Sequence, residues 1–308
     1  MISSFFSKAK PIHFLVVSLM LLAAFVWAKT TLVTIELNTV SILKQIGLFG
    51  VCLFSVFVFD FVTGKNNLTK KNSYRILFFT LFLIMIPQSF LNSKILIANL
   101  FVLLAMRRII SLRSKKELKK KLFDAAFWIG LATLLYFWSC LFFVLIFAAL
   151  LLFKIVDVKN WIIPFLGILT VVIIAVCIQI VLGNDLNTYF KQFNYSISLD
   201  FTNLNSRQII ISTTIILSYF VWSLFYYLKN LKAKSKSYKP SYVLVLIAVL
   251  IAAGILVIAP EKSGAEFIFL FAPLSIILTN YIEIASEKWF KEVLLWILIL
   301  TPFASLVL

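Results

Sequence analysis

The chain has 308 residues, of which 62% are hydrophobic, with a mean hydropathy of +1.05 and a formal net charge of +17. Soluble domains are roughly 45–50% apolar, and several uncharged runs here exceed the ~18 residues that mark a membrane span, which excludes an ordinary soluble domain. The runs are apolar on every face rather than alternating, which excludes a transmembrane barrel and points to an all-α, polytopic helix bundle.

The first expected span is 11–28. Lys8 and Lys10 precede the apolar run Ile12 to Trp27, as in a signal peptide, but Val26-Trp27-Ala28 lacks the small-x-small pattern of a cleavage site. An uncleaved span is therefore expected. Further spans are expected at 45–62, 76–91 and 95–110, the last two joined by PQSFLNSK, where Pro87 ends one short helix.

Residues 125–153 read AAFWIGLATLLYFWSCLFFVLIFAALLLF, without a charge. As one helix they would reach about 43 Å, too long for an upright crossing of a ~30 Å core. Basic loops decide between one crossing and two, because Lys and Arg gather on the cytoplasmic side. Segments 107–121 and 229–239 are both rich in Lys and Arg, and a hairpin turning near Tyr136 to Ser139 puts both inside. The remaining spans are expected at 161–182, 209–228, 242–259, 266–284 and 289–307. About eleven crossings result, several of them short paired helices, in one integral membrane domain (1–308) with no separate soluble domain. The N-terminus is then cytoplasmic and the C-terminus periplasmic, in a bacterial inner membrane. Of the 29 basic residues only Lys29, Lys44, Lys94, Lys191, Arg207 and Lys262 are left outside.

That distribution accounts for the net charge through the anionic cytoplasmic leaflet, and no nucleic-acid partner is expected. Cys52, Cys140 and Cys177 fall inside apolar spans with no metal or disulfide spacing, and the single histidine, His13, excludes a histidine-built metal site. No metal and no cofactor are expected. P-loop, GxGxxG and GxSxG motifs are absent, which disfavours standard ATPases, dinucleotide enzymes and serine hydrolases. The longest outer loop, 183–208, holds Tyr189, Phe190, Phe193, Tyr195, Ile197 and Phe201. It is expected to lie along the interface, lid a cavity or meet a protein partner. Asn194-Tyr195-Ser196 matches a glycosylation sequon.

Charges on the outer side are those that topology leaves unexplained. They include Glu36, the only acid of the first outer loop, and Lys262 and Glu266 in the turn PEKSGAEF. Asp60, Asp124 and Glu283 sit at cytoplasmic helix ends and read as ion-pairing residues. A transferase acting on a lipid phosphate needs a carboxylate base on the acceptor and cations on the leaving phosphate. Glu36 is the candidate catalytic base, Lys262, Arg207 and Lys94 are candidate lipid-phosphate ligands, and Glu266 is a further candidate.

The stretches SKILIANLFVLLAMRRIISL and FDAAFWIGLATLLYFWSCLFFVLIFAALLLF resemble the middle of GT-C-type polytopic glycosyltransferases, and PEKSGAEFIFLFAPLSIILTNYIE resembles their late segment. The whole chain also resembles an uncharacterised family of Bacteroidota multi-pass inner-membrane proteins. The GT-C resemblance implies a polyprenyl-phosphate sugar donor, with Glu36 in the place of the family's first-loop acid and Lys262 in that of its late basic residue. It implies a role in envelope glycan synthesis at the outer face. The first outer loop is shorter and poorer in acids than in that family, and no C-terminal periplasmic domain follows. The alternatives are a non-catalytic membrane subunit scaffolding a partner complex and a transporter; the latter is disfavoured because no span carries a charge at its middle.

Overall fold

The structure is a computed structural model that describes residues 2–32, 38–191, 193, 195–260 and 262–307, with side chains as far as 304. Among the described residues there are thirteen α-helices and no strand. In chain order they are α1 (Ile2–Phe6), α2 (Pro11–Thr31), α3 (Thr39–Lys65), α4 (Tyr74–Met85), α5 (Ser93–Ser111), α6 (Leu118–Leu135), α7 (Phe143–Leu152), α8 (Val158–Val181), α9 (Leu186–Lys191), α10 (Arg207–Ala233), α11 (Lys239–Ile258), α12 (Ile268–Ile284) and α13 (Lys288–Val307). A helix lies at every position where a span is expected. Seven segments are long and apolar enough to cross a membrane: α2, α3, α8, α10, α11, α5 extended to Ser114, and Ala265–Ile284. The protein is a helical membrane protein.

Local chemistry explains several helix ends. Pro11 starts α2 at a position where a missing N–H costs nothing. Asn38 caps α3 by accepting the Ser41 N–H at 2.8 Å. That cap starts α3 at Thr39, ahead of the expected 45, so Lys44 lies inside a helix. Ser206 caps α10 through the Ile209 N–H.

Two helices stop short and continue as 3-10 turns. Pro87 cannot donate to the α4 ladder and forces Ile86 to φ −123°, ψ 77°. At its twelve residues, α4 spans about 18 Å, less than a ~30 Å hydrocarbon core. α6 stops at Leu135, and Tyr136 is extended (φ −145°, ψ 105°), within the expected turn. No proline or glycine forces that break, but the residues behind it are held by packing: the Phe137 ring meets Phe193 and Tyr195, each with centroids 6.5 Å away. In both turns a serine N–H closes back on the break residue: Ser89 on the Ile86 carbonyl at 3.1 Å, Ser139 on that of Tyr136 at 3.0 Å.

The chain forms two compact units. One comprises Met1–Leu96, Phe201–Ser235 and Lys262–Leu308; the other comprises Ile97–Asp200 and Lys236–Glu261. In the first, α12 is the core. It is buried on every face over most of its length and is mostly apolar, as an enclosed helix must be, and it packs on α4 and α10. α2 packs on α4, and α13 on α10 and α1. In the second unit α6 and α8 meet through glycine. A Cβ at Gly167 would lie 2.7 Å from the Ala126 Cβ and 3.0 Å from the Phe123 carbonyl, so the backbones touch. Arg108 pairs with Asp124 at 2.7 Å.

Candidate functional site

The polar groups of the first unit collect at its two ends. At one end, Arg75 pairs with Asp60 at 2.6 Å and donates to Thr69 at 3.0 Å. Glu283 accepts from the Lys70 N–H and the Asn72 amide, so its role is a hydrogen-bonded one. Glu292 accepts the N–H groups of Ile2 and Ser3, which docks α1. His13 meets the Ser73 hydroxyl at 2.7 Å. Arg75, Glu283 and Glu292 are thus engaged by loop and helix-end groups, and Asp60 forms the ion pair expected of it.

The opposite end holds the turn between α11 and α12. Lys262 is 1% exposed, and its Nζ lies 4.6 Å from the centroid of the Phe201 ring. A cation over an aromatic face gains roughly 0.5–2 kcal/mol. Glu266 is 2% exposed, and its carboxylate accepts from the Ser263 N–H at 3.1 Å, the Ser263 hydroxyl at 3.0 Å and the Gly264 N–H at 2.9 Å. Glu266 therefore closes the turn that carries Lys262. Gly264 adopts φ +87°, open to glycine at little cost, and its missing side chain lets Gln88 and Ile209 approach. That contact sets the 3-10 turn after α4 and the first turn of α10 beside Lys262. The Ser212 hydroxyl donates to the Met85 carbonyl at 2.7 Å and fastens α10 to the end of α4.

Arg207 is the exposed first residue of α10, and Lys94 is exposed in the first turn of α5, where Asn92 accepts its N–H. Glu36 lies outside the described residues, as do Glu261 and Asn194 of the sequon. Lys29, one of the six outer bases, was not singled out by sequence reasoning. It is 8% exposed, 5.7 Å from the Phe25 ring centroid, and Phe25 in turn packs on Phe90 of the turn after α4. Its position in the last turn of α2, where a basic residue usually reaches solvent, hid that burial. Gln88 was missed for another reason: it is a polar residue in a proline turn, the ordinary composition of a loop.

Below this end lies an apolar groove of about 310 Å³ between α2, α4, α10 and α13. Ala23, Ala24 and Trp27 form one wall, Leu81 and Ile84 another, and Gln208 is its one amide. In the second unit, Tyr195, Ile197 and Leu199 are exposed on an extended segment tied by the Ser198 N–H to the Ile258 carbonyl at 3.2 Å. Among the described residues no three His, Cys, Asp or Glu side chains gather to hold a metal ion.

No curated protein and no solved structure matches the chain. One family profile matches residues 1–305, described as a family of unknown function, DUF6427. A match over nearly the entire length makes the chain a member of that family, DUF6427.

Proposed function

We propose that this protein is a GT-C-like inner-membrane protein that handles a polyprenyl-phosphate-linked sugar at the outer face of the membrane, in envelope glycan synthesis. In this reading the chain crosses about eleven times with its N-terminus inside and its C-terminus outside, so that the Lys262 end of the first unit faces outward. The observation that carries the reading is Lys262. A cation kept from water against an aromatic ring, at the end of a helical unit, suits the phosphate of a lipid head group. Arg207 and Lys94 add positive charge, Glu266 shapes the turn, and Glu36 is the base on the acceptor.

The test uses three variants in one preparation. A Lys–phosphate contact contributes about 1.5–3 kcal/mol, so Lys262→Ala weakens donor-lipid binding roughly ten- to a hundredfold. Glu36→Gln leaves binding near wild type and abolishes transfer. A second reading, a non-catalytic subunit, is favoured by the exposed Tyr195, Ile197 and Leu199. It requires Lys262→Ala and Glu36→Gln to be silent and polar substitutions at 195, 197 and 199 to dissociate a partner.

A further inference from the structure

We infer that the Phe201 ring is a gate over Lys262: it covers the ammonium group and must swing aside before an anion binds there. That the anion is a lipid phosphate rests on the function proposed above; the gate itself does not. Burial divides unequally between the two residues. Lys262 is 1% exposed, whereas Phe201, whose ring centroid lies 4.6 Å from the Lys262 Nζ, is 47% exposed. The ring therefore stands on the surface side of the ammonium group. A phosphate oxygen needs about 2.7–2.9 Å to the nitrogen, and a ring at that separation leaves no room for it in between.

The elements behind the lysine turn are fastened. Gly264 seats that turn on Gln88 of the proline turn and on Ile209 of α10. Ser206 caps α10 by accepting the Ile209 N–H at 3.3 Å, and Ser212 ties α10 to Met85. Phe201 instead precedes a single 3-10 turn, Thr202–Leu204, whose Leu204 N–H donates to the Phe201 carbonyl at 3.0 Å. That bond holds the backbone of Phe201 and leaves its half-exposed ring to turn about χ1 between staggered wells. Exposed side chains change rotamer in picoseconds to nanoseconds, so the gate opens without moving a helix.

Two magnitudes decide what opens it. A cation over an aromatic face favours the closed form by roughly two- to thirtyfold. A Lys–phosphate contact is worth roughly ten- to a hundredfold. A phosphate therefore takes the ammonium group from the ring, but its apparent affinity is lowered by the fraction of open sites. Removing the ring should then strengthen phosphate binding, whereas a ring that contacted the ligand would weaken binding on removal.

The experiment uses the full-length protein in nanodiscs, and its first arm needs no lipid ligand. A water-soluble acetylating reagent is applied, and mass spectrometry times the modification of each lysine in wild type, Phe201→Ala, Phe201→Leu and Phe201→Trp. Lys262 is expected to react about two- to thirtyfold faster in Phe201→Ala and more slowly in Phe201→Trp, because tryptophan is the best ring for a cation. Phe201→Leu keeps bulk without a π face and falls between alanine and wild type. The buried Lys29 and the exposed Lys94 of the same unit keep their rates, which separates gate opening from unfolding. Should one variant unfold, the other two still decide. Equal Lys262 rates in all folded variants would overturn the gate. The second arm measures polyprenyl phosphate affinity, expected to be tightest in Phe201→Ala and weakest in Phe201→Trp. Weaker binding in Phe201→Ala than in wild type would also overturn the gate. The expected order of Lys262 rates, with no saturable polyprenyl phosphate binding in any variant, would support the gate and overturn the lipid reading alone.

Discussion

A Cβ at Gly264 would stand 3.2 Å from the Gln88 Cβ and 3.2 Å from Ile209 Cδ1. The absent side chain is what lets the Lys262 turn seat on the proline turn after α4. Gly264→Ala meets both that crowding and the cost of φ +87°. The expected destabilisation is about 1–3 kcal/mol. In a chain with Cys140→Ala and Cys177→Ala, thiol labelling of the buried Cys52 reports it as earlier unfolding in denaturant. Unchanged unfolding of Gly264→Ala would refute this packing.

Ser212→Ala removes the bond to Met85 and leaves a helix-end carbonyl unsatisfied inside the unit. The expected cost is about 1–3 kcal/mol. Ser212→Thr keeps the hydroxyl and recovers part of it. Equal losses in the two variants would mean that packing, not the hydrogen bond, matters at this position.

Asp60→Asn leaves the nearly buried Arg75 guanidinium without its counter-charge. Breaking a buried pair costs about 3–5 kcal/mol, and the 22% exposure of the Asp60 side chain moves the expectation to the lower end. The double variant Asp60→Asn/Arg75→Gln recovers a measurable share of the loss. Additive losses in the cycle would show that the two side chains are not coupled.

Helix positions were legible in the sequence because apolar runs, Pro87 and the basic loops are local signals, and the turn expected near Tyr136 coincides with the break between α6 and α7. The pairings of Asp60 and Asp124 followed from their place at helix ends. Helix starts were less legible: α3 begins at Thr39 because Asn38 caps it, a signal that an apolar-run reading passes over. The site was legible only in part. Lys262 and Glu266 stood out as charges in a tight turn, but that Glu266 serves the turn itself depends on N–H directions set by the backbone. The burial of Lys29 and the approach of Gln88 to Gly264 arise from contacts between segments far apart in sequence, and the first unit gathers three such segments.

Gly167→Ala tests the second unit. The added methyl meets Ala126 at 2.7 Å and the Phe123 carbonyl at 3.0 Å, and overpacking of this kind costs about 1–3 kcal/mol. Ala126→Gly in the same chain restores part of the stability. A cycle without coupling between 126 and 167 would disprove the direct backbone contact of α6 with α8.

The central claim is that the Lys262 end binds a lipid phosphate, and its most direct measurement compares polyprenyl phosphate with neutral polyprenol on the purified protein. One buried charge-assisted contact is worth roughly ten- to a hundredfold in affinity. The account requires the phosphate to be preferred by about that factor and Lys262→Ala to remove most of the preference. Equal affinity for the two lipids, or a preference that survives in Lys262→Ala, would contradict it.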